Sequence, residues 1–424
     1  MNRDGAQTPP PDAAVPAPAG RRRGRLTRRD VVVALAAGVA GVGGSAVATQ
    51  YTAASASGGP RAPIPLVAAS DASDAVRKIA DYRCDGKDDQ EEINDAITSC
   101  GSAGGTVLLS PGRFAISGAV RLRSLVALVG SGRATVLRAT GTWPDGRGGT
   151  PGAVVELADG VTHRTALRHL TVDGNKDEAT CKGLLYELDS YPNDRPGGPD
   201  PTFVVDDVHV VDTASVGVHL TGGTNRSGIV SRVRVYGAGG THPAEGFLVE
   251  AYDALVVQSE SGAASGDGFR VVGANNRFSD CKSWYSRRNG FNVDGVRNLL
   301  TACEAQDNAR HGFLVSTGPN TLTGCHADSN SRPEAHPGPD SEVNNRFDGF
   351  HLPFSEAVQI VGCQSFDRRE GGTASQRHGF FVGAGSRDCQ IIGIARHNAT
   401  SSVGGEGVTA AGMNVVVTGD GKRP

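Results

Sequence analysis

Gly246-Phe247-Leu248-Val249, Gly268-Phe269-Arg270-Val271, Gly290-Phe291-Asn292-Val293 and Gly312-Phe313-Leu314-Val315 repeat one phrase at intervals of 22 residues. Cys281, Cys303 and Cys325 follow the last three glycines by 13 residues and keep the same period. The phrase returns less evenly at Gly217-Val218, Gly349-Phe350, Gly379-Phe380 and Gly407-Val408. Self-similarity at a fixed short period is the mark of a solenoid. In Gly-Phe-x-Val the Phe and Val alternate with a variable residue, the period of a half-buried strand. The variable slot holds Leu248, Arg270, Asn292, Leu314, His351 and Phe381, as expected of a position that faces out. Stacked coils bring equivalent residues to about 4.8 Å, so Phe is predicted to lie on Phe and Cys on Cys. The expected fold is a single-stranded parallel β-helix over residues 113–424.

The composition agrees: 424 residues with 59 glycines and 5% aromatics suit many short strands and tight corners. Residues 1–48 stand apart. Thr27-Arg28-Arg29-Asp30-Val31-Val32 resembles a twin-arginine export motif. A short apolar stretch and Ala46-Val47-Ala48, a small-residue cleavage site, follow it. The stretch is too short and Gly-rich to span a bilayer, so no stable membrane span is expected after cleavage. Residues 49–70 read as a flexible linker, and the expected destination is extracellular. Removing the segment takes seven of 42 Lys/Arg and three of 45 Asp/Glu, leaving 35 positive against 42 negative groups and a net charge of −7. That balance disfavours nucleic acid as a partner. Of the eight cysteines, Cys281, Cys303 and Cys325 are expected as stacked interior thiols, while Cys84 and Cys100 are the candidate disulfide pair.

Asp85-Gly86-Lys87-Asp88-Asp89 leads into Ile93, Ala96, Ile97 and Cys100 at helical spacing, with an Asp and a Glu three residues on to form a capping box. Gly104-Gly105-Thr106-Val107-Leu108-Leu109-Ser110-Pro111-Gly112 follows as turn, strand and turn. Together these resemble the amino-terminal cap of the pectate lyase superfamily, in its rhamnogalacturonase and epimerase-like branch. The resemblance implies a right-handed parallel β-helix, an amino-terminal cap over residues 71–112 that closes the open end of the solenoid, and action on an extracellular polysaccharide. Insertions at 140–152, 189–202 and 331–345 are expected at corners beside a groove.

Candidate chemistry lies in a polar stripe. The column before each repeat glycine holds Glu245, Asp267, Asn289, His311, Asp348 and His378, and the outward slot adds Arg270, Asn292 and His351. Glu250 and Asp294 lie four residues past their glycines. Alternation places all of these on one face and its leading edge. Glu250, Asp267, Asp294, His311, Asp348 and His378 are the candidate catalytic groups, with Arg270, Asn292, Arg288 and His351 binding substrate. Glu250 and Asp294 stand two coils apart, about 9.6 Å at the backbone, within reach of the carboxyl separation of inverting glycosidases. Alternatively Arg270, Lys282, Arg287 or Arg288 could serve as the base of β-elimination, with Ca²⁺ acidifying the α-proton. The expected function is lyase or hydrolase action on a glycan. A non-catalytic glycan-binding scaffold and a sugar epimerase using His311 with Asp348 are the rivals. The Asn-Thr-Asp, Arg-Ile-Lys and Asp-Pro-His-Asp motifs of β-helix hydrolases and alginate epimerases are absent.

Overall fold

The computed structural model describes residues 29–34, 79–143, 151–161, 164–187, 203–222, 228–240, 242–332, 346–369 and 374–419. The expected linker, the cleavage site and most of the three insertions lie outside these residues.

Each central coil crosses three faces. After Phe247–Val249 the chain turns into Leu255–Val257, then Glu260–Gly262, and returns 22 residues later as Phe269–Val271. The corners are single left-handed residues repeated at the same interval: Gln258, Asp280 and Ala302 at one, Ala263, Tyr285, Asp307 and Ser329 at the next. One such residue turns a strand sharply without a long loop. The Gly-Phe strands build an eleven-stranded parallel front sheet running from Val120–Leu122 to Ser401–Gly404. The other two faces merge into one hydrogen-bonded sheet, because Thr165–Asp173, Phe203–Val211, Gln359–Phe366 and Gln390–Arg396 run unbroken across the corner between them. This is the expected right-handed parallel β-helix. Gly407 departs from the periodic reading, since Glu406–Thr409 is a 3₁₀ turn and Ser401–Gly404 supplies the last front strand.

The core is a set of ladders. Phe247, Phe269, Phe291, Phe313, Phe350 and Phe380 stack with centroids 4.5–4.9 Å apart and planes within 10° of parallel. The repeat glycine lets the next coil's backbone and a facing serine approach closely. A Cβ on Gly268 would meet the Gly290 carbonyl oxygen at 2.8 Å and Ser283 Oγ at 1.9 Å. Asn276, Asn298 and Asn320 form a second ladder: the amide N–H of Asn276 donates to Asn298 Oδ1 at 2.9 Å, and that of Asn298 to Asn320 Oδ1 at 2.8 Å. Their Nδ2 groups donate to the carbonyls of Ala251, Gly273 and Gly295. Each inward amide thus satisfies backbone groups that the corner leaves unpaired.

All eight cysteines are reduced. Cys281, Cys303 and Cys325 stack inside as expected, and Cys363 extends them, its Sγ accepting from Cys325 N–H at 3.3 Å. The expected Cys84–Cys100 bond does not form: the two thiols turn to the carbonyls of Asp89 and Ala96 respectively, packing the cap onto the core. The cap helix is Gln90–Ser99, with Ile93, Ala96 and Ile97 facing inward. The capping box is also absent. Asp89 is fully buried, and its carboxylate accepts from the amides of Gly86 and Ala115, tying the turn to the first coil rather than capping the helix. Arg29–Ala34, inside the expected export segment, runs antiparallel between Ile79–Cys84 and Gly105–Leu109.

Candidate functional site

The front sheet aligns one outward column in strict register: Arg121, Glu156, Leu185, His219, Leu248, Arg270, Asn292, Leu314, His351 and Phe381. Flat strands between sharp corners fix this line, and polar groups gather on it at three places.

The carboxyl-terminal cluster centres on Asp348, which is fully buried. Its Oδ1 accepts from Arg377 Nε at 2.8 Å and from the His378 amide at 3.1 Å. Its Oδ2 lies 2.7 Å from both an Arg377 terminal nitrogen and His351 Nδ1. Burial opposes the charged form, but these hydrogen bonds prevail and hold the carboxyl below its ordinary range. An ionised Asp348 only accepts, so His351 Nδ1 is the donor of this pair. His351 stacks on Phe381 with centroids 4.7 Å apart, and Arg377 covers Phe381 at 4.6 Å. His311 is different. Its Nδ1 accepts the Asp348 amide proton at 3.0 Å. Burial, helped by repulsion from His351, pushes its value down to about 3. It is a neutral structural imidazole. His378 is held below the ordinary histidine value by burial, and its Nδ1 lies 2.7 Å from Ser401 Oγ.

His311, Asp348 and His351 offer three ligand atoms within 4.8 Å of one another. They do not fit Ca²⁺, which takes six to eight oxygens. The one carboxylate has both oxygens occupied, and His311 Nδ1 is engaged by an amide.

The middle cluster surrounds Arg270, whose guanidinium lies 3.8 Å from Glu245 Oε1 and 3.6 Å from Asp294 Oδ2. Burial raises the Glu245 carboxyl above its ordinary value, against the pull of its backbone hydrogen bond and of Arg270 and Arg288. Asp267 lies beneath, almost wholly buried, accepting from the Asn289 amide and side chain and from Asn292 Nδ2. At the amino-terminal cluster, His219 Nε2 meets Glu250 Oε2 at 2.8 Å. Burial pulls both His219 and the nearby Lys182 below their ordinary values. Burial also works against the Glu250 charge, but the His219 bond outweighs it and the carboxyl sits low. His219 Nδ1, Arg270 Nε and Asn292 Oδ1 are buried with no hydrogen-bond partner among the described residues, all three in the outward column. Buried polar atoms without a partner mark places where water or a ligand completes the set.

The structure therefore splits the expected stripe. Arg270, Asn292 and His351 face out as expected. Asp267, Asn289, His311 and Asp348 do not: the chain turns inward at the corner before each glycine, and they form a buried ladder. Glu250 and Asp294 pair with different partners, His219 and Arg270. Arg270 is held between two carboxylates, which removes it as a base, and Lys282 lies on another face, bonded to Glu304. His219, Lys182 and Arg377 were missed. His219 occupies the variable slot of Gly217-Val218-His219, and Lys182 precedes Gly183 as Glu245 precedes Gly246, so both carried a periodic signal. Arg377 carried none, because its role depends on how the chain enters its strand.

No family model and no curated protein sequence matches this chain. Solved structures do match in shape. The A-module of mannuronan C-5 epimerase AlgE6 from Azotobacter vinelandii aligns over 80% of this chain and 97% of its own, at 19% identity and a TM-score of 0.57. Full-length tailspike protein 2 of an Escherichia coli O157:H7 bacteriophage aligns over 74% of this chain and 41% of its own, at 14% identity and a TM-score of 0.55. The pre-mature gene product 12 of bacteriophage phi29 aligns over 80% and 52%, at 16% identity and a TM-score of 0.53. At these identities the likeness establishes the parallel β-helix fold.

Proposed function

We propose that the protein is an exported enzyme acting on an extracellular, uronate-containing polysaccharide by β-elimination, with the glycan lying along the front sheet. The observation that carries this is His351, set in the outward column with Nδ1 fixed on Asp348, so that in the neutral ring Nε2 is the nitrogen that acts as base. His351 Nε2 takes the proton on the carbon α to the uronate carboxyl. The α–β double bond forms as the C–O bond to the next sugar breaks, and the leaving oxygen takes its proton back from the imidazolium. Asp348 and Arg377 hold the ring in place. Arg270 and Asn292, three and two strands away, bind further sugars. That an enzyme of similar shape is a mannuronan epimerase supports a uronate glycan as the class.

One observation favours a second reading. Glu245, its carboxyl raised by burial, and Asp294 flank Arg270, two carboxyl groups as glycoside hydrolysis uses. A screen of the protein against uronate and neutral polysaccharides separates the readings. Unsaturated product that disappears in His351→Ala supports elimination. Reducing ends without unsaturation, lost in Glu245→Gln, would replace it with hydrolysis. Binding without turnover in a folded protein would make the chain a glycan-binding scaffold. Export rests on the paired arginines, and Arg28→Lys with Arg29→Lys should retain the protein in the cytoplasm.

A further inference from the structure

The third face carries an aromatic surface unrelated to the polar column. Tyr236 pairs in register with Gly262, and Gly262 with Trp284, so the two rings occupy one column two coils apart. A Cβ on Gly262 would meet Trp284 Cε2 and Cζ2 at 2.8 Å and Tyr236 Cδ2 at 3.0 Å. The bare backbone between them lets both rings lie down over the sheet, with centroids 5.7 Å apart and a 41° tilt. Tyr285 adjoins edge-on, 5.6 Å from Trp284, and Arg332 stacks on it at 4.8 Å. Tyr236 is 50% and Tyr285 42% exposed. Large aromatic rings left in water as one contiguous surface mark a binding site.

The neighbouring charges indicate what binds. Arg234 pairs with Glu260 at 3.6 Å, Lys282 with Glu304 at 3.1 Å, and Arg332 with Asp307 at 3.6 Å. Lys282 also donates to Gln306 at 2.6 Å. These cations and anions pair with one another across coils, so the surface offers apolar rings rimmed by hydrogen-bonding groups and paired charges. A phosphate backbone needs surplus cations. A pyranose ring has the matching character, with a C–H face to lie on an aromatic plane and hydroxyls at its edge.

We propose that Tyr236, Trp284 and Tyr285 form an accessory platform that stacks pyranose rings of a neutral glycan, separate from the front-sheet site. The proposal shares only the glycan class with the reading of that site. The chain has two tryptophans, and Trp143 is 5% exposed, so Trp284 reports contact by its fluorescence. The full chain titrated with cellohexaose, xylohexaose and mannohexaose should show saturable quenching with at least one. By calorimetry the affinity should be lost in Trp284→Ala, fall about tenfold in Tyr236→Ala, and persist in Trp284→Phe and in His351→Ala. No saturable response to any of the three, or unchanged affinity in a folded Trp284→Ala protein, overturns the platform. Loss of binding in His351→Ala also overturns it, by placing the sugar on the front sheet. Failure of the elimination chemistry leaves this binding test unaffected.

Discussion

His311 and Asp348 are neighbours in one network and respond to acid in opposite senses of charge with the same outcome. His311 is held neutral by burial, with its value near 3 against an unfolded value of 6.5. Between those two the unfolded chain binds the proton and the folded chain does not, so stability is full above 6.5 and falls as pH drops through that window. The slope from one such group is about 1.4 kcal/mol per pH unit. Asp348, held below its ordinary value, adds to the loss only in stronger acid. Thermal unfolding from pH 7.5 to 4.5 should therefore show a declining midpoint, and His311→Asn should make the decline shallower, with His219 and His378 keeping their share, since Asn289 already fills the equivalent position one coil earlier. An unchanged slope in that variant would remove His311 as the cause. Arg377→Ala should cost about 3 kcal/mol, because it leaves a buried carboxylate with fewer donors, and urea titration would measure it.

At the scale of the element, each ladder rung depends on its neighbours above and below. Phe291→Ala removes a ring stacked on both sides, at 4.7 and 4.9 Å, and should cost about 3–5 kcal/mol. Asn298→Ala is the sharper test, since it strands the Asn276 amide and the Gly273 carbonyl at once. A loss of about 2–4 kcal/mol is expected in denaturant unfolding, and Asn298→Leu should not recover it. The phenylalanine ladder was legible because alternation and period agree there. The asparagine ladder has the same period, but a polar side chain gives no sign in sequence of facing inward, and only the three-dimensional corner shows which backbone groups need an inward amide. The pre-glycine column misled for the same reason. Alternation holds along a strand and fails at the corner, where Asp267 and His311 turn inside. Asp89 was likewise read from local spacing as a cap, while its partner Ala115 lies a full turn of the solenoid away. Local rules located the elements; contacts between coils decided the site.

Across the whole molecule, stability rests on stacking rather than covalent cross-links. Reductant should leave the melting temperature unchanged, and all eight thiols should react with a thiol reagent only after denaturation. A drop in melting temperature on reduction would reveal a bond the fold does not contain. The in-register front sheet has a further consequence. Arg270 and His351 share one outward column with Asn292 and Leu314 between them, so three strand spacings, about 14 Å, separate them. Extra chain does not alter that figure. The interval from Gly312 to Gly349 is 37 residues rather than 22, yet Phe313 and Phe350 still stack at 4.8 Å. The strands on either side of the surplus residues keep the ordinary spacing. The sheet is thus a ruler with one graduation per strand, on which two chemical groups can be moved apart or together only by whole divisions, by gaining or losing a complete coil.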